Sequence, residues 1–575
     1  MACWITLSEL KFDHYYSFDK LTETLQKLAS EYPSLAKLRS IGKSVQGREL
    51  WLMEITNFET GAPKTKPAVW IDGNTHAGEV MGSMVCLKNI WHLLIKYGDD
   101  PNIAELLDYT TFYILPRLDA DGGEFVINTP YYVLGADNET GGGRWYPLSR
   151  EEWSSTERGL FMEDVDGDGV IVQMRIPDPI GEWKVSDKDA RIMLRRTPED
   201  QLGDFYRVYP EGFILNFKGE KEIKMAPARW ALNFNRNWPG EWAKEEVSRG
   251  SGSYPLSEPE TRSVADFIVS HPNICLALTY HTHGGVLFSY SEDDQIPVQD
   301  RKLFKIIESI FEDQTGYPSR SMGKRGPSGS FSTYMTVHRA IPCNTIEIWD
   351  LLSEIGMKDW VKREGFTFSA KRREEQELKL IAWNEKELNG EAFVDWHEID
   401  HPQLGKLEIG GWKKKFVLRN PPVKFMEREV NKIMFFPFRL ARLLPRLIIK
   451  EASSTKIGEH VYKVNLILEN VGALPTYIMK HALDIGSTKP AIASIKLAHG
   501  MKLISGDNFI KFHLEGYLNK DLTEQRRERL NNCDKNKVTF SWLVRTEKSG
   551  KIKLKVQSQK AGCIKTVLNL SPDIS

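Results

Sequence analysis

The sequence predicts an α/β protein whose mixed, mostly parallel sheet is flanked by helices and followed by an all-β sandwich. Three observations carry this expectation. Strand-like and helix-like runs alternate through residues 1–385, the pattern of strands joined by helical crossovers. Near residue 385 the texture changes to short alternating runs separated by turns, the signature of an antiparallel sandwich. Hydrophobic residues make up 41% and charged residues 27% of the 575, which supports packed cores and excludes a disordered chain.

The elements follow in order. Residues 18–32 carry apolar side chains at helical spacing and stop before Pro33. Short β-type runs at 36–41 and 49–56 flank a Gln46-Gly47 turn. A strand at 67–71 runs into Asp72-Gly73-Asn74, a helix covers about 79–97, and a buried strand lies at 110–115. Residues 128–230 are rich in Gly, Pro, Asp and Arg and read as a long insertion carried on the sheet's loops. Regular patterning resumes with a helix at 258–270, a strand at 274–280, helices at 300–314 and 332–338, and a strand at 344–348. A charged helix at 371–383 closes a first domain, 1–385. Runs at 406–409, 447–450, 462–469, 539–544 and 551–556 define the sandwich domain, 386–575, with a core-docking connector at 435–444.

Seventy-seven basic and 78 acidic residues leave a net charge of −1, which removes any bulk electrostatic case for nucleic acid or an anionic membrane. The six cysteines are scattered without a CxxC pair, the usage of reduced thiols. The first 20 residues lack the basic and apolar regions of a secretory signal, and no 18-residue apolar run exists. A cytoplasmic location is therefore expected. The oligomeric state is left open.

The chemistry gathers where strands end, the place where open α/β sheets bind ligands. The 67–71 strand leads into Asn74-Thr75-His76-Ala77-Gly78-Glu79, the 274–280 strand ends at His281, and the 344–348 strand carries Glu347. His76 and Glu79 can reach one ion from a single turn, and two histidines with one glutamate form a catalytic zinc set with an open position. Taken singly, each residue has an ordinary structural reading. His76 would be a loop residue, Glu79 a carboxylate at a helix N-terminus, His281 a buried strand histidine, and Glu347 half of an ion pair. His283, two residues on, is the less expected ligand. Burial would raise Glu347 toward the range of a general base.

These segments, IDGNTHAGEVMGS, LPRLDADG, NFNRNW, TYHTHGG and TIEIWDL, resemble the zinc carboxypeptidases of the carboxypeptidase A type, peptidase family M14, in that order. The resemblance covers roughly residues 10–385, and the β-sandwich that follows is similar to that of bacterial members. It implies zinc held by His76, Glu79 and His281, with Glu347 as general base and acid of metal-assisted hydrolysis. It implies that Asn235 and Arg236 bind the C-terminal carboxylate of a peptide substrate, a task suited to a planar guanidinium. The family's oxyanion arginine falls within the insertion, where Arg144 and Arg175 are both candidates. Phe331 falls at the family's specificity pocket and leans apolar, whereas the family's mobile tyrosine has no counterpart before Gly329-Ser330. The implied function is a zinc metallocarboxypeptidase. A zinc amidase on cell-wall or γ-glutamyl peptides and a non-catalytic zinc-stabilised binding protein are the alternatives.

Outside that set, Asp164, Asp166 and Asp168 alternate through Asp164-Val165-Asp166-Gly167-Asp168-Gly169, like the first half of a calcium loop. The twelfth position is Arg175 rather than glutamate, so an EF-hand is not expected. A smaller calcium site closed by a residue such as Asp178 competes with a plain Asp-Gly turn.

Overall fold

The computed structural model describes residues 10–132, 159–219, 222–226, 232–357, 370–519 and 535–570. Eight strands form the main sheet in the order Ala36–Lys43, Glu49–Ile55, Thr111–Leu115, Ala68–Gly73, Ile274–Thr282, Cys343–Ile348, Val286–Ser289, Ser319–Ser321. The four central strands run parallel, with antiparallel neighbours on either side. Alternate side chains of these strands serve two cores. Val69, Ile71, Leu278, Tyr280 and Ile346 face helices Met81–Lys96, Val298–Thr315 and Val423–Met434. Trp70, Tyr113, Ala277 and Cys343 face helix Pro259–Ser270 and the Phe234–Arg236 turn. Period-two alternation assigns the two sets to opposite faces of the sheet.

Helix Met81–Lys96 is buried nearly all round, as a helix pressed against the centre of a sheet must be. It comes close because Gly82 faces Gly73 and the Tyr280 carbonyl; a Cβ on Gly82 would lie 2.8 Å from that oxygen. Its first turn has no side-chain cap of its own.

The stretch from 386 to 446 departs from the sequence expectation. Strands Phe393–His401 and Gly405–Trp412 do not join the sandwich but extend a six-stranded antiparallel sheet built from the insertion, pairing through Gln173–Pro177. The alternation at 406–409 was a correct strand signal, but Leu407 and Ile409 pack with Leu160 and Met174, a partnership set by contacts distant in sequence. Helices Val423–Met434 and Phe436–Ala441 pack into the main core, which is the connector role expected of 435–444. The sandwich strands begin at Leu447: two four-stranded antiparallel sheets close over Val464, Leu466, Trp542, Leu554 and Val556.

The sandwich docks on the amino-terminal ends of the parallel strands. Buried Lys560 donates to the Ile274 carbonyl at 2.5 Å, and the Gly562 turn lies against Thr65. His281 lies seven residues further along that strand, about 23 Å away at some 3.3 Å per residue. Among the described residues no helix is long and apolar enough to cross a membrane.

Candidate active site

Three neighbouring parallel strands deliver the predicted residues to one edge. His281 pairs in register with Glu347, and Tyr280 with Gly73, the last strand residue before the His76 loop. That loop folds around Asn74, whose backbone is left-handed (φ 56°) and whose amide donates to the carbonyls of His76 (2.6 Å) and Ala77 (3.2 Å). Asparagine tolerates this conformation better than most residues.

His76 Nδ1 lies 2.8 Å from Glu79 Oε1, His281 Nδ1 lies 2.8 Å from Glu79 Oε2, and the two Nδ1 atoms are 3.2 Å apart. Ligands on a tetrahedral zinc at about 2.0–2.1 Å lie roughly 3.3 Å from one another. Two imidazole nitrogens converging on one carboxylate therefore fit a shared cation, and the residues present suit zinc. Burial works against charge on Glu79, yet the two imidazoles hold its carboxyl down to about 2.

Behind His281 stands a support that the motifs do not reveal. Its Nε2 lies 3.3 Å from Thr279 Oγ1, which donates to Asp72 at 2.7 Å; the Trp70 indole also donates to Asp72 at 2.6 Å. This chain fixes which imidazole nitrogen faces Glu79. Burial pushes the Asp72 carboxyl up to about 6. The sequence signal was a carboxylate at the end of an apolar strand, Val69-Trp70-Ile71-Asp72.

Glu347 sits one strand from His281. Its Oε2 is buried without a hydrogen-bond partner among the described residues. Burial, then the Glu79 charge, pushes its carboxyl up to about 8, against the pull of His281 and Arg419. His283 also belongs to the site region. It does not join the cluster of His76, Glu79 and His281, in keeping with its being the less expected ligand; its Nδ1 meets Arg419 Nη1 at 3.4 Å and it feels the charge of Glu79.

On the face of the sheet that carries Trp70, Asn235 Oδ1 accepts from the Phe331 amide at 3.0 Å, and Arg236 Nη1 donates to the Asn235 carbonyl at 2.8 Å. The Gly329 turn presses on this loop; a Cβ there would lie 2.1 Å from the Arg236 carbonyl oxygen. The Phe331 ring is 2% exposed and packed against Trp238 and Trp70, so it fills the core. The expected apolar pocket wall is corrected to a backbone role.

Arg175 is not at the site. Its guanidinium makes a two-bond pair with Glu408 (2.8 and 2.9 Å) between the Trp396 and Tyr206 rings, in the insertion's sheet. Its guanidinium is buried and its bidentate partner commits it to structure, which removes it as an oxyanion candidate. Arg144 lies outside the described residues. The acidic loop is likewise committed. Asp164 accepts from the amides of Gly167 and Gly169, Asp166 from Asp168, and Asp168 from Val170. Asp164, Asp166 and Glu211 gather, but Asp168 does not join them. Glu211 holds the Val165 and Val172 amides, and Asp178 pairs with Arg207. Local Asp-Gly turns account for the loop, and calcium is not supported.

Comparison with known proteins adds context. The profile of the family described as zinc carboxypeptidase (Peptidase_M14) matches residues 21–149 and 214–386, more than half of the chain. A domain of unknown function (DUF8731) matches 446–569. Human carboxypeptidase D is 36% identical over 115 residues, 19% of this chain and 8% of that protein. A zinc carboxypeptidase of Saccharothrix mutabilis subsp. capreolus is 31% identical over 115 residues, 20% of this chain and 26% of that protein. The match thus spans well under two thirds of these relatives. The crystal structure of carboxypeptidase A from Helicoverpa armigera superimposes with a TM-score of 0.40 at 16% identity, covering 67% of this chain and 76% of that one.

Proposed function

This chain belongs to the zinc carboxypeptidase family, and from that premise we propose that it hydrolyses the last peptide bond of substrates ending in a free carboxylate. His76, Glu79 and His281 would hold zinc. When bound, zinc supplies a Lewis acid that polarises the scissile carbonyl and makes a water more acidic.

The chain's own residues do the rest. Glu347, with one oxygen uncommitted among the described residues, accepts a proton from the attacking water. As the water oxygen bonds to the carbonyl carbon and the C–N bond breaks, the same carboxyl returns that proton to the leaving amine. Arg236 and the Asn235 amide nitrogen hold the terminal carboxylate, since the Asn235 oxygen is engaged by Phe331. Arg144 is the proposed oxyanion donor.

The observation that carries this reading is the convergence of His76, Glu79 and His281 beside Glu347. Glu347→Gln tests it: bound zinc should stay near one equivalent while turnover drops by several orders of magnitude. Full activity in that variant refutes the mechanism.

A further inference from the structure

The segment Lys414–Arg419 and the residues after it lie beyond the match to the peptidase family, which ends at 386. This segment is nevertheless fastened to the active-site edge at four points. Asn420 donates to the Gly78 carbonyl (2.7 Å) and accepts from the Met81 amide (3.1 Å), bracketing Glu79. The Val417 carbonyl accepts from the indole of Trp349 (2.8 Å), two residues after Glu347. Lys415 donates to the carbonyls of Val126 and Thr129 (2.7 and 2.6 Å), and Tyr15 donates to that of Pro421 (2.6 Å).

A strap held this firmly gives its side chains fixed positions. Arg419 Nη1 lies 3.4 Å from His283 Nδ1, two residues after His281, and its Cζ lies 5.9 Å from the centre of the Tyr132 ring. The Tyr132 hydroxyl is buried without a hydrogen-bond partner among the described residues. The charge of Arg419 is felt at Glu347 and at Tyr132. A partly exposed guanidinium and a hydroxyl with no partner among the described residues therefore sit together at the rim of the hydrolytic residues.

The side on which they sit decides what they meet. Asn235, Phe331 and Trp238 belong to the face of the sheet that carries Trp70. The strap is fixed to the head of helix Met81–Lys96 and runs into helix Val423–Met434, both on the opposite face. If the terminal carboxylate lies at Asn235 and Arg236, the scissile carbonyl lies over the His76, Glu79 and His281 edge. The peptide then continues toward the strap.

From this placement we infer that Arg419, assisted by Tyr132, binds a carboxylate on the residue just before the scissile bond, so that the enzyme prefers substrates acidic at the penultimate position. The inference rests on the carboxypeptidase reading above. A guanidinium recognises a carboxylate through paired, charge-assisted hydrogen bonds, and a phenol adds a third donor. Burial of the neighbours raises the strength of such contacts above that of a surface pair.

The test compares two peptides that differ only in Glu or Gln before a common C-terminal residue, on the zinc-loaded full chain. The wild type should favour the Glu peptide by about ten-fold or more in kcat/KM. In Arg419→Gln that ratio should collapse toward one, and Arg419→Lys should keep an intermediate ratio. Equal use of both peptides by the wild type, or an unchanged ratio in Arg419→Gln, overturns the inference. So does an equal loss on both peptides, which would mark Arg419 as acting on the reaction rather than on the side chain. Calorimetric binding of the same peptides to Glu347→Gln protein, with and without Arg419→Gln, reads the preference without turnover. A Glu preference there that depends on Arg419, together with a zinc-loaded wild type that cleaves neither peptide, would sink the hydrolytic reading and leave the carboxylate site standing. No preference in binding overturns the site itself.

Discussion

Replacing Asn420 by alanine should loosen the loop of the proposed zinc ligands from 342 residues away in sequence. The fully buried Asn420 carboxamide caps helix Met81–Lys96, whose own N-terminal residues provide no side-chain cap. Alanine removes three hydrogen bonds: to the Met81 amide (3.1 Å), the Gly78 carbonyl (2.7 Å) and the Lys415 carbonyl (3.0 Å). Met81 and Gly78 are buried, so water does not readily replace the lost partner. A buried unpaired group costs about 1–3 kcal/mol, so the two together cost about 2–6 kcal/mol of local stability. Gly78 lies between His76 and Glu79, so the loss falls on the ligand loop. Metal affinity should weaken by about 10–100-fold, as for loss of other groups that orient ligands. A chain with several cores does not unfold in one step, so a single melting temperature is the wrong readout. Hydrogen exchange at the amides of the first turn of the helix, with zinc affinity by competition with a chelator, is the right one. Exchange and affinity both unchanged in Asn420→Ala would refute the reasoning.

Two further predictions concern the residues that the structure moves away from the site. Arg175→Met should destabilise the insertion's sheet by about 1–3 kcal/mol, because Glu408 loses its partner while staying partly solvated. Its kcat/KM per zinc-loaded enzyme should stay within about two-fold, and a loss of a hundred-fold or more would restore Arg175 as a transition-state donor. Millimolar calcium should leave thermal unfolding unchanged, because the oxygens of Asp164, Asp166 and Asp168 are held by backbone amides. A rise of several degrees on adding calcium alone would contradict that account.

The sequence was most legible where local signals and chemistry coincide. The central strands and helices Met81–Lys96, Pro259–Ser270 and Val298–Thr315 follow from apolar runs and periodicity, with boundaries within about two residues, whereas helices Pro101–Tyr109 and Ala120–Asn128 went unread. His76, Glu79, His281 and Glu347 were readable because each ends or borders one of the four strands that run parallel at the centre of the sheet. Local pattern could not say which strands share a sheet. The run at 406–409 alternates like any edge of a sandwich, and only its pairing with Gln173–Pro177 assigns it to the insertion. Arg419, Asn420 and Tyr132 were invisible for the same reason, since nothing in Phe416-Val417-Leu418-Arg419-Asn420 marks it as a strap over Gly78. Phe331 shows the converse error. A residue at a family position was read as a pocket wall, while its ring had the simpler use of filling the core between Trp70 and Trp238.

The most direct test of the central claim uses one peptide in two forms, with a free carboxylate and with an amide at its C-terminus. Each is incubated with the zinc-loaded chain, and the products are read by mass spectrometry. The account predicts stepwise loss of C-terminal residues from the free form only, stopped by a chelator and restored by zinc. Equal cleavage of the amidated peptide, cuts confined to internal bonds, or no hydrolysis with one equivalent of zinc bound would contradict it.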